Sequence, residues 1–187
     1  MKKRELDYFL KVRLPITLVV VMISFALTYF ISRAERDGVG YAPSQPIAYS
    51  HKVHAGDLNI DCQYCHTGAD KTRHAMVPPA ETCMNCHKMI KTDSEEIKKL
   101  KEYYDSGTPI PWKRVHRVPD YAYFNHSSHV NKGLDCTSCH GEVRNMEKVE
   151  QAHAFTMTDC VECHRTAHDK FPELDLKVKE DCITCHR

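Results

Sequence analysis

All ten cysteines of this chain fall into five copies of one pattern, Cys-x-x-Cys-His. The copies are Cys62/Cys65/His66, Cys83/Cys86/His87, Cys136/Cys139/His140, Cys160/Cys163/His164 and Cys182/Cys185/His186. On a helical turn, residues at i, i+3 and i+4 point the same way. Two thiols so placed can form thioethers to the vinyl groups of a haem while the imidazole takes the proximal position on its iron. Zinc ribbons and redox dithiols also use Cys-x-x-Cys. Neither needs a histidine directly after every pair, and all five pairs here have one. The pattern therefore predicts five covalently bound haem c groups.

Thirteen histidines are present, and the five proximal ones leave His51, His54, His74, His116, His126, His129, His153 and His168. Beside five irons, surplus imidazoles are candidates for the distal axial position. Two pairs stand out because their surroundings repeat. Tyr49-Ser50-His51-Lys52-Val53-His54 precedes Cys62, and Phe124-Asn125-His126-Ser127-Ser128-His129 precedes Cys136. Rings three residues apart share a helical face but are too far apart for one iron, so each pair is expected to serve two haems. Only Arg187 follows His186, so the fifth haem is expected to draw its distal ligand from upstream, with His129 the choice. His116 could reach back to the second haem. His153 and Met157 both precede the fourth motif, and a methionine ligand would raise that haem's potential. His74 and His168 are the weakest candidates.

These residues must be positioned by very little polypeptide. Beyond the first fifty of 187 residues, roughly 27 residues remain per motif, too few for an apolar core of ordinary size. The porphyrins are expected to be the core, wrapped by a thin layer of mainly α structure with extensive coil and no strands. The formal charge of +1 carries no basic excess that would suggest nucleic acid.

The long apolar run, Leu14 to Ile31, is close in length to a bilayer's hydrocarbon thickness as a helix. Lys2, Lys3, Arg4, Lys11 and Arg13 precede it, which keeps the N-terminus cytoplasmic by the positive-inside rule. Tyr29 and Phe30 fall where an interfacial aromatic belt would lie. The alternative is a cleaved secretory signal ending at Ser32-Arg33-Ala34, a poor small-x-small site, and the run exceeds a usual signal core. Residues 1–35 thus read as a cytoplasmic N-terminus and single-pass anchor in the cytoplasmic membrane. The rest lies on the periplasmic side, where thiols tend to oxidise.

Gly38, Gly40, Pro43 and Pro46 mark residues 36–48 as an extended linker. The repeated histidine pairs open a two-haem module at 49–90 and a three-haem module at 124–187. In the intervening 91–123, Thr92 to Tyr104 reads as a solvated helix capped by Asp93 or Ser94. Glu95 and Glu96 fall in its first turn, Ile97, Leu100 and Tyr104 form its stripe, and Gly107 lies past its end. Pro109, Pro111 and Pro119 make the stretch around Trp112 an irregular connector.

A haem ligated on both faces cannot bind substrate at iron, and no Ser/His/Asp set or phosphate loop offers other chemistry, so the residues point to electron transfer. Several segments carry more detail than haem attachment demands. They are His51-Lys52-Val53-His54-Ala55-Gly56, Asp61 through Thr67, Val77 through His87, Val115 through His126 and Met157 through Arg165. Over nearly the whole chain they resemble the pentahaem cytochrome subunit of alternative complex III, a respiratory or photosynthetic quinol:electron-acceptor oxidoreductase. The related multihaem subunit of menaquinone reductase complexes shares the layout with a different haem count. The resemblance implies an electron-transfer subunit that is not an enzyme by itself. Its implied partners are integral membrane quinol-oxidising subunits, a large iron–sulfur subunit and a monohaem cytochrome c. Thr158-Asp159 departs from the glycine and tryptophan expected before Cys160. Rival readings are a stand-alone quinol dehydrogenase of the membrane-anchored tetrahaem type, a multihaem oxyanion reductase with one open iron, and a diffusing periplasmic shuttle.

Overall fold

Proline offers no N–H to the carbonyl four residues back, and its ring crowds that carbonyl. In a computed structural model of the chain, which describes residues 3–186, the helix ahead of Pro15 responds by widening. Helix α1 (Lys3–Tyr8) passes into a π turn at Phe9–Arg13 before α2 (Leu14–Asp37), and the Leu14 amide reaches the Phe9 carbonyl. Such single π turns inside α-helices are how extra backbone is absorbed. Thr17 and Thr28 return their hydroxyls to the carbonyls of Arg13 and Ser24, each at 2.8 Å. That satisfies both groups within the helix, as a lipid environment would require.

The stretch Arg4–Ser32 is long and apolar enough to cross a membrane, with mean hydropathy 2.3 in its most apolar window and none of that window buried. A membrane anchor and a signal sequence both meet that description. Lys2 and Arg187 lie outside the described residues, as do the side chains of Lys3, Arg33 and Ala34.

The chain divides into two compact units at Gly38/Val39. In the second unit the helices are short: α3 (Cys62–Cys65), α4 (Ala80–His87), α5 (Glu95–Ser106), α6 (His126–Val130), α7 (Thr137–His140), α8 (Met157–Arg165), α9 (Ala167–Lys170) and α10 (Cys182–Cys185). No strand occurs among the described residues. Five of these helices carry the cysteine motifs, and their brevity follows from sequence. Asp61 and Asp135 accept from the amides of Gln63 and Thr137 at 2.7 and 2.8 Å, fixing where two of the motif turns begin.

The expected intervening helix is α5, starting at Glu95 rather than Thr92. Ser94 is its N-cap, and Gly107 closes it at φ 63°, a left-handed position that favours glycine. Its outer face is laced by Lys98–Glu95 at 2.8 Å and Lys99–Glu96 at 2.6 Å. Glu96 also accepts from the Ala48 amide at 2.7 Å, so this wet face ties down the segment leading into the first histidine pair. Leu100, 4 % exposed, packs with Ile47, Ala80 and Met84, and Ile97, Tyr104 and Trp112 lie against them.

Among the described residues only seven hydrophobic side chains are buried, three of them alanines. The polypeptide encloses little apolar surface of its own, so this one cluster matters. Replacing Leu100 with alanine is expected to destabilise the second unit by about 2–5 kcal/mol. A lowered thermal midpoint, with the full haem complement still attached, is the checking measurement.

Candidate haem-binding site

Each motif forms one helical turn. His66, His140 and His186 donate their backbone N–H to the carbonyls of Cys62, Cys136 and Cys182 at 2.8–2.9 Å. The i, i+3, i+4 geometry that the chemistry needs is therefore present. Four motif histidines face a histidine from elsewhere. His51 opposes His66 with ring centroids 6.4 Å apart and planes 2° from parallel, and His126 opposes His140 at 6.2 Å and 2°. His54 faces His87 at 6.1 Å, and His129 faces His164 at 6.2 Å.

These separations test whether a haem iron fits. Two metal–nitrogen bonds of about 2 Å, with the ring radii beyond them, set axial imidazole centroids about 6 Å apart. All four pairs meet that spacing, while a direct hydrogen bond or a packed stack would bring the rings closer.

The ring tautomers agree. His66 Nδ1 meets the Met76 carbonyl at 2.5 Å, His87 that of Ile90 at 3.0 Å, and His164 that of Lys179 at 2.8 Å. His54, His126 and His129 meet the carbonyls of Ser50, Arg73 and Asn125, each at 2.8 Å, and His186 meets that of Tyr121 at 3.0 Å. A carbonyl only accepts, so each Nδ1 holds the proton and each Nε2 is left as a lone pair for metal.

The repeat seen in sequence is also a repeat in space. Tyr49 stands edge-on to His51 and stacks on His54, with centroids 4.8 and 4.4 Å away. Phe124 treats His126 and His129 identically, at 4.8 and 4.6 Å. One aromatic ring thus clamps both imidazoles of a pair and turns them towards different motifs. Burial, followed by the nearby Cys65, Cys83 and Cys62, pushes the Tyr49 hydroxyl well above its usual range. The pairs are placed by neighbouring backbone. The amides of His126 and Ser127 bond the Arg73 and Thr72 carbonyls. A Cβ on Gly68 would lie 2.5 Å from the His74 carbonyl oxygen, so glycine there lets residues 74–76 close over His66.

The cysteines also show which motifs adjoin. Burial raises the Cys83 thiol, with Cys65 the next cause. Cys136 is pushed up to about 11 by burial and by Cys62, its hydrogen-bond partner. Burial and then Cys163 raise Cys139, and burial and then Cys185 raise Cys160. Numbering the motifs along the chain, the first and third meet at the Cys62–Cys136 hydrogen bond, while the first and second, third and fourth, and fourth and fifth lie within electrostatic range of one another.

Cys86, Cys160 and Cys182 are exposed, while the other seven motif cysteines are half-buried. The cause at Cys86 is the seating of α4. Ala80, Cys83 and Met84 turn into the cluster against α5, and Cys86 follows Met84 by two residues, about 200° around the helix.

Several expectations need correction. His129 stands opposite His164 of the fourth motif, not His186 of the fifth, because Phe124 orients it away from His126 towards α8. His116 does not approach the second motif. It is half-buried against His140 of the third, 4.4 Å between centroids at 86°, with Phe155 beside both rings at 6.1 and 6.2 Å. His153, His168 and His74 are exposed. Met157 opens α8 and is 71 % exposed.

Opposite His186 no second histidine stands among the described residues. Tyr121 lies at 6.0 Å, on the side where its carbonyl holds Nδ1. The Thr158-Asp159 departure has a structural use. Asp159 and Thr156 form a reciprocal capping box at the start of α8. The spacing Thr156-x-x-Asp159 before a helical run was the signal for it.

Two family descriptions match the chain in separate parts. The class III cytochrome C family covers residues 29–110, and cytochrome c7 and related cytochrome c covers residues 122–187. The menaquinone reductase, multiheme cytochrome c subunit of Nitratidesulfovibrio vulgaris is 28% identical over 167 residues, spanning 76% of this chain and 77% of that protein. With both stretches matched and the histidine geometry suited to iron, the chain is a multihaem cytochrome c that carries covalently attached haem c.

Proposed function

We propose that this chain is a membrane-anchored pentahaem electron relay, a subunit of a quinol-oxidising complex of the alternative complex III type that delivers electrons to a monohaem or soluble cytochrome. The observation that carries this is the facing of four motif histidines by four others at 6.1–6.4 Å. Iron filled on both faces has no site for substrate. Haem bound in this way supplies one-electron outer-sphere transfer.

The residues do the rest. The ten cysteines fix five groups to short turns, and backbone carbonyls hold the Nδ1 protons of His54, His66, His87, His126, His129, His164 and His186. The two aromatic clamps keep paired rings aimed at different motifs. The adjacency of the motifs gives the row second–first–third–fourth–fifth, in which the 49–90 and 124–187 modules meet through Cys62 and Cys136. The Arg4–Ser32 helix serves as the anchor, with the haem-bearing unit on the periplasmic side. The related N. vulgaris protein is named as part of a menaquinone reductase, which supports a quinone-linked membrane assembly for this chain. Its partners would be integral membrane quinol-oxidising subunits, a large iron–sulfur subunit and a monohaem cytochrome c.

A second reading is favoured by one observation, the lack of a histidine opposite His186 among the described residues. An open fifth iron would suit an oxyanion reductase. We assign that face instead to Met157, which is exposed on the helix whose Cys160 adjoins Cys185. Low-temperature EPR with a redox titration of the intact protein decides. The relay requires five low-spin centres, one of them the His/Met type at high potential. A high-spin fraction near one fifth supports the reductase, and fewer than five attached haems by intact mass removes the pentahaem assignment.

A further inference from the structure

An α-helix turns about 100° per residue, so Arg4 and Tyr8 share a face, while Arg13 would lie about 140° around from Tyr8. The π turn at Phe9–Arg13 changes that register. A wider turn brings residues five apart into line, and the Leu14 amide closes it on the Phe9 carbonyl. Arg13 accordingly lies over the Tyr8 ring, its guanidinium carbon 5.5 Å from the centroid. Arg4, Glu5, Tyr8, Phe9 and Arg13 together line a recess of about 570 Å³. Two guanidinium groups against one carboxylate leave it cationic. Lys11, inside the same π turn, does not line it, so face rather than charge alone selects the members.

Directly past Arg13 the sequence becomes predominantly apolar, from Leu14 to Ile31. For a spanning helix, that boundary is the depth of lipid headgroups. Arginine lays its stem along apolar surface and keeps its charged end at that level. A guanidinium matches two oxygens of a phosphate at once, and an aromatic face attracts it as well. The apolar side chains beside the recess are open: Leu6, Phe9 and Leu10 are 42, 45 and 48 % exposed. A cationic recess flanked by exposed hydrocarbon complements a ligand with a negative head and apolar tails.

We propose that this recess binds an anionic phospholipid of the cytoplasmic leaflet. Arg4 and Arg13 donate to its phosphate oxygens, Tyr8 holds Arg13 in place, and Phe9 lies against the glyceryl and acyl part. Pro15 belongs to the site indirectly, because it forces the turn that brings Arg13 round to Tyr8. The proposal rests on residues 1–35 being retained as a membrane anchor, and intact mass tests that separately. A protein lacking its first thirteen residues would end the anchor reading and this site with it. A retained N-terminus without the lipid preference would end the site alone.

The test uses the full-length, haem-loaded protein in a neutral detergent, with native mass spectrometry after addition of phosphatidylglycerol or phosphatidylcholine. One phosphatidylglycerol is expected to be retained, about tenfold better than phosphatidylcholine. Millimolar inorganic phosphate should leave it in place; displacement would make the ligand a free anion and overturn the lipid assignment. Arg13→Gln should lower retention about tenfold. Lys11→Gln removes the same charge from the same turn and should change nothing. Pro15→Ala keeps every charge but restores the regular helix, and it should weaken retention as Arg13→Gln does. It also decides the matter should Arg13→Gln fail to enter the membrane. Equal losses in Lys11→Gln and Arg13→Gln, or full retention in Pro15→Ala, would mean diffuse attraction to a basic segment and overturn the site.

Discussion

Replacing His129 with alanine is expected to convert one of the five centres from low-spin to high-spin while all five haems stay attached. The His129 ring lies 6.2 Å from His164 with Nδ1 on the Asn125 carbonyl at 2.8 Å. The lone pair facing the fourth motif is therefore lost with the side chain, and alanine offers no replacement. Attachment depends on Cys160 and Cys163, which the change leaves alone. Phe124 loses the ring it stacks on but keeps His126 edge-on at 4.8 Å, so the third motif's centre should hold. The altered centre must be the one that disappears when Cys160 and Cys163 are both replaced by alanine. If it disappears instead with Cys182 and Cys185, His129 serves the fifth motif and the pairing read from the rings is wrong.

The attachment turns were legible in the sequence because covalent chemistry fixes a short local spacing, and a single helical turn satisfies it. The repeat Tyr49/His51/His54 and Phe124/His126/His129 was legible for the same reason, since three residues decide which rings share a face. The pairing was not. Which motif His129 faces depends on a contact 35 residues away, and it is set by the rotation that Phe124 imposes on the pair. His116 looked like a free ligand in an irregular connector, and no local pattern could say that residues 115–117 would fold onto His140. The π turn at Lys52–Asp57 was missed as well. It exists because Gly56 lies so close to the Arg144 carbonyl that a Cβ would be 2.4 Å from that oxygen. The Arg144 side chain answers by holding the Ala55 carbonyl and Asn59 at 2.9 Å each. Only a long-range contact of that kind makes the turn necessary. The intervening helix was read almost to its ends because Ser94, the Leu100 stripe and Gly107 are local signals.

The row of motifs carries its own test, because its middle and its end should behave differently when broken. Replacing Cys136 and Cys139 by alanine removes the third motif's thioethers, and replacing Cys182 and Cys185 removes the fifth's. Each variant is expected to lose one haem by intact mass and keep four. In a row ordered second–first–third–fourth–fifth, loss of the fifth leaves four adjoining sites. Loss of the third separates the first and second from the fourth and fifth, since Cys62 bonds to Cys136 and Cys163 acts electrostatically on Cys139, both in motif three. With the variant assembled in its membrane and electrons supplied as quinol, the fifth-motif variant should reduce all four haems together. The third-motif variant should reduce two promptly and leave two oxidised, a drop to about half the rapid absorbance change. Intact mass and the thermal midpoint guard against a collapsed fold, and His126→Ala, which spares the thioethers, gives a milder interruption at the same place. Equal and complete reduction in both double variants would mean that the motifs conduct as a branched cluster, and the linear order would have to be abandoned.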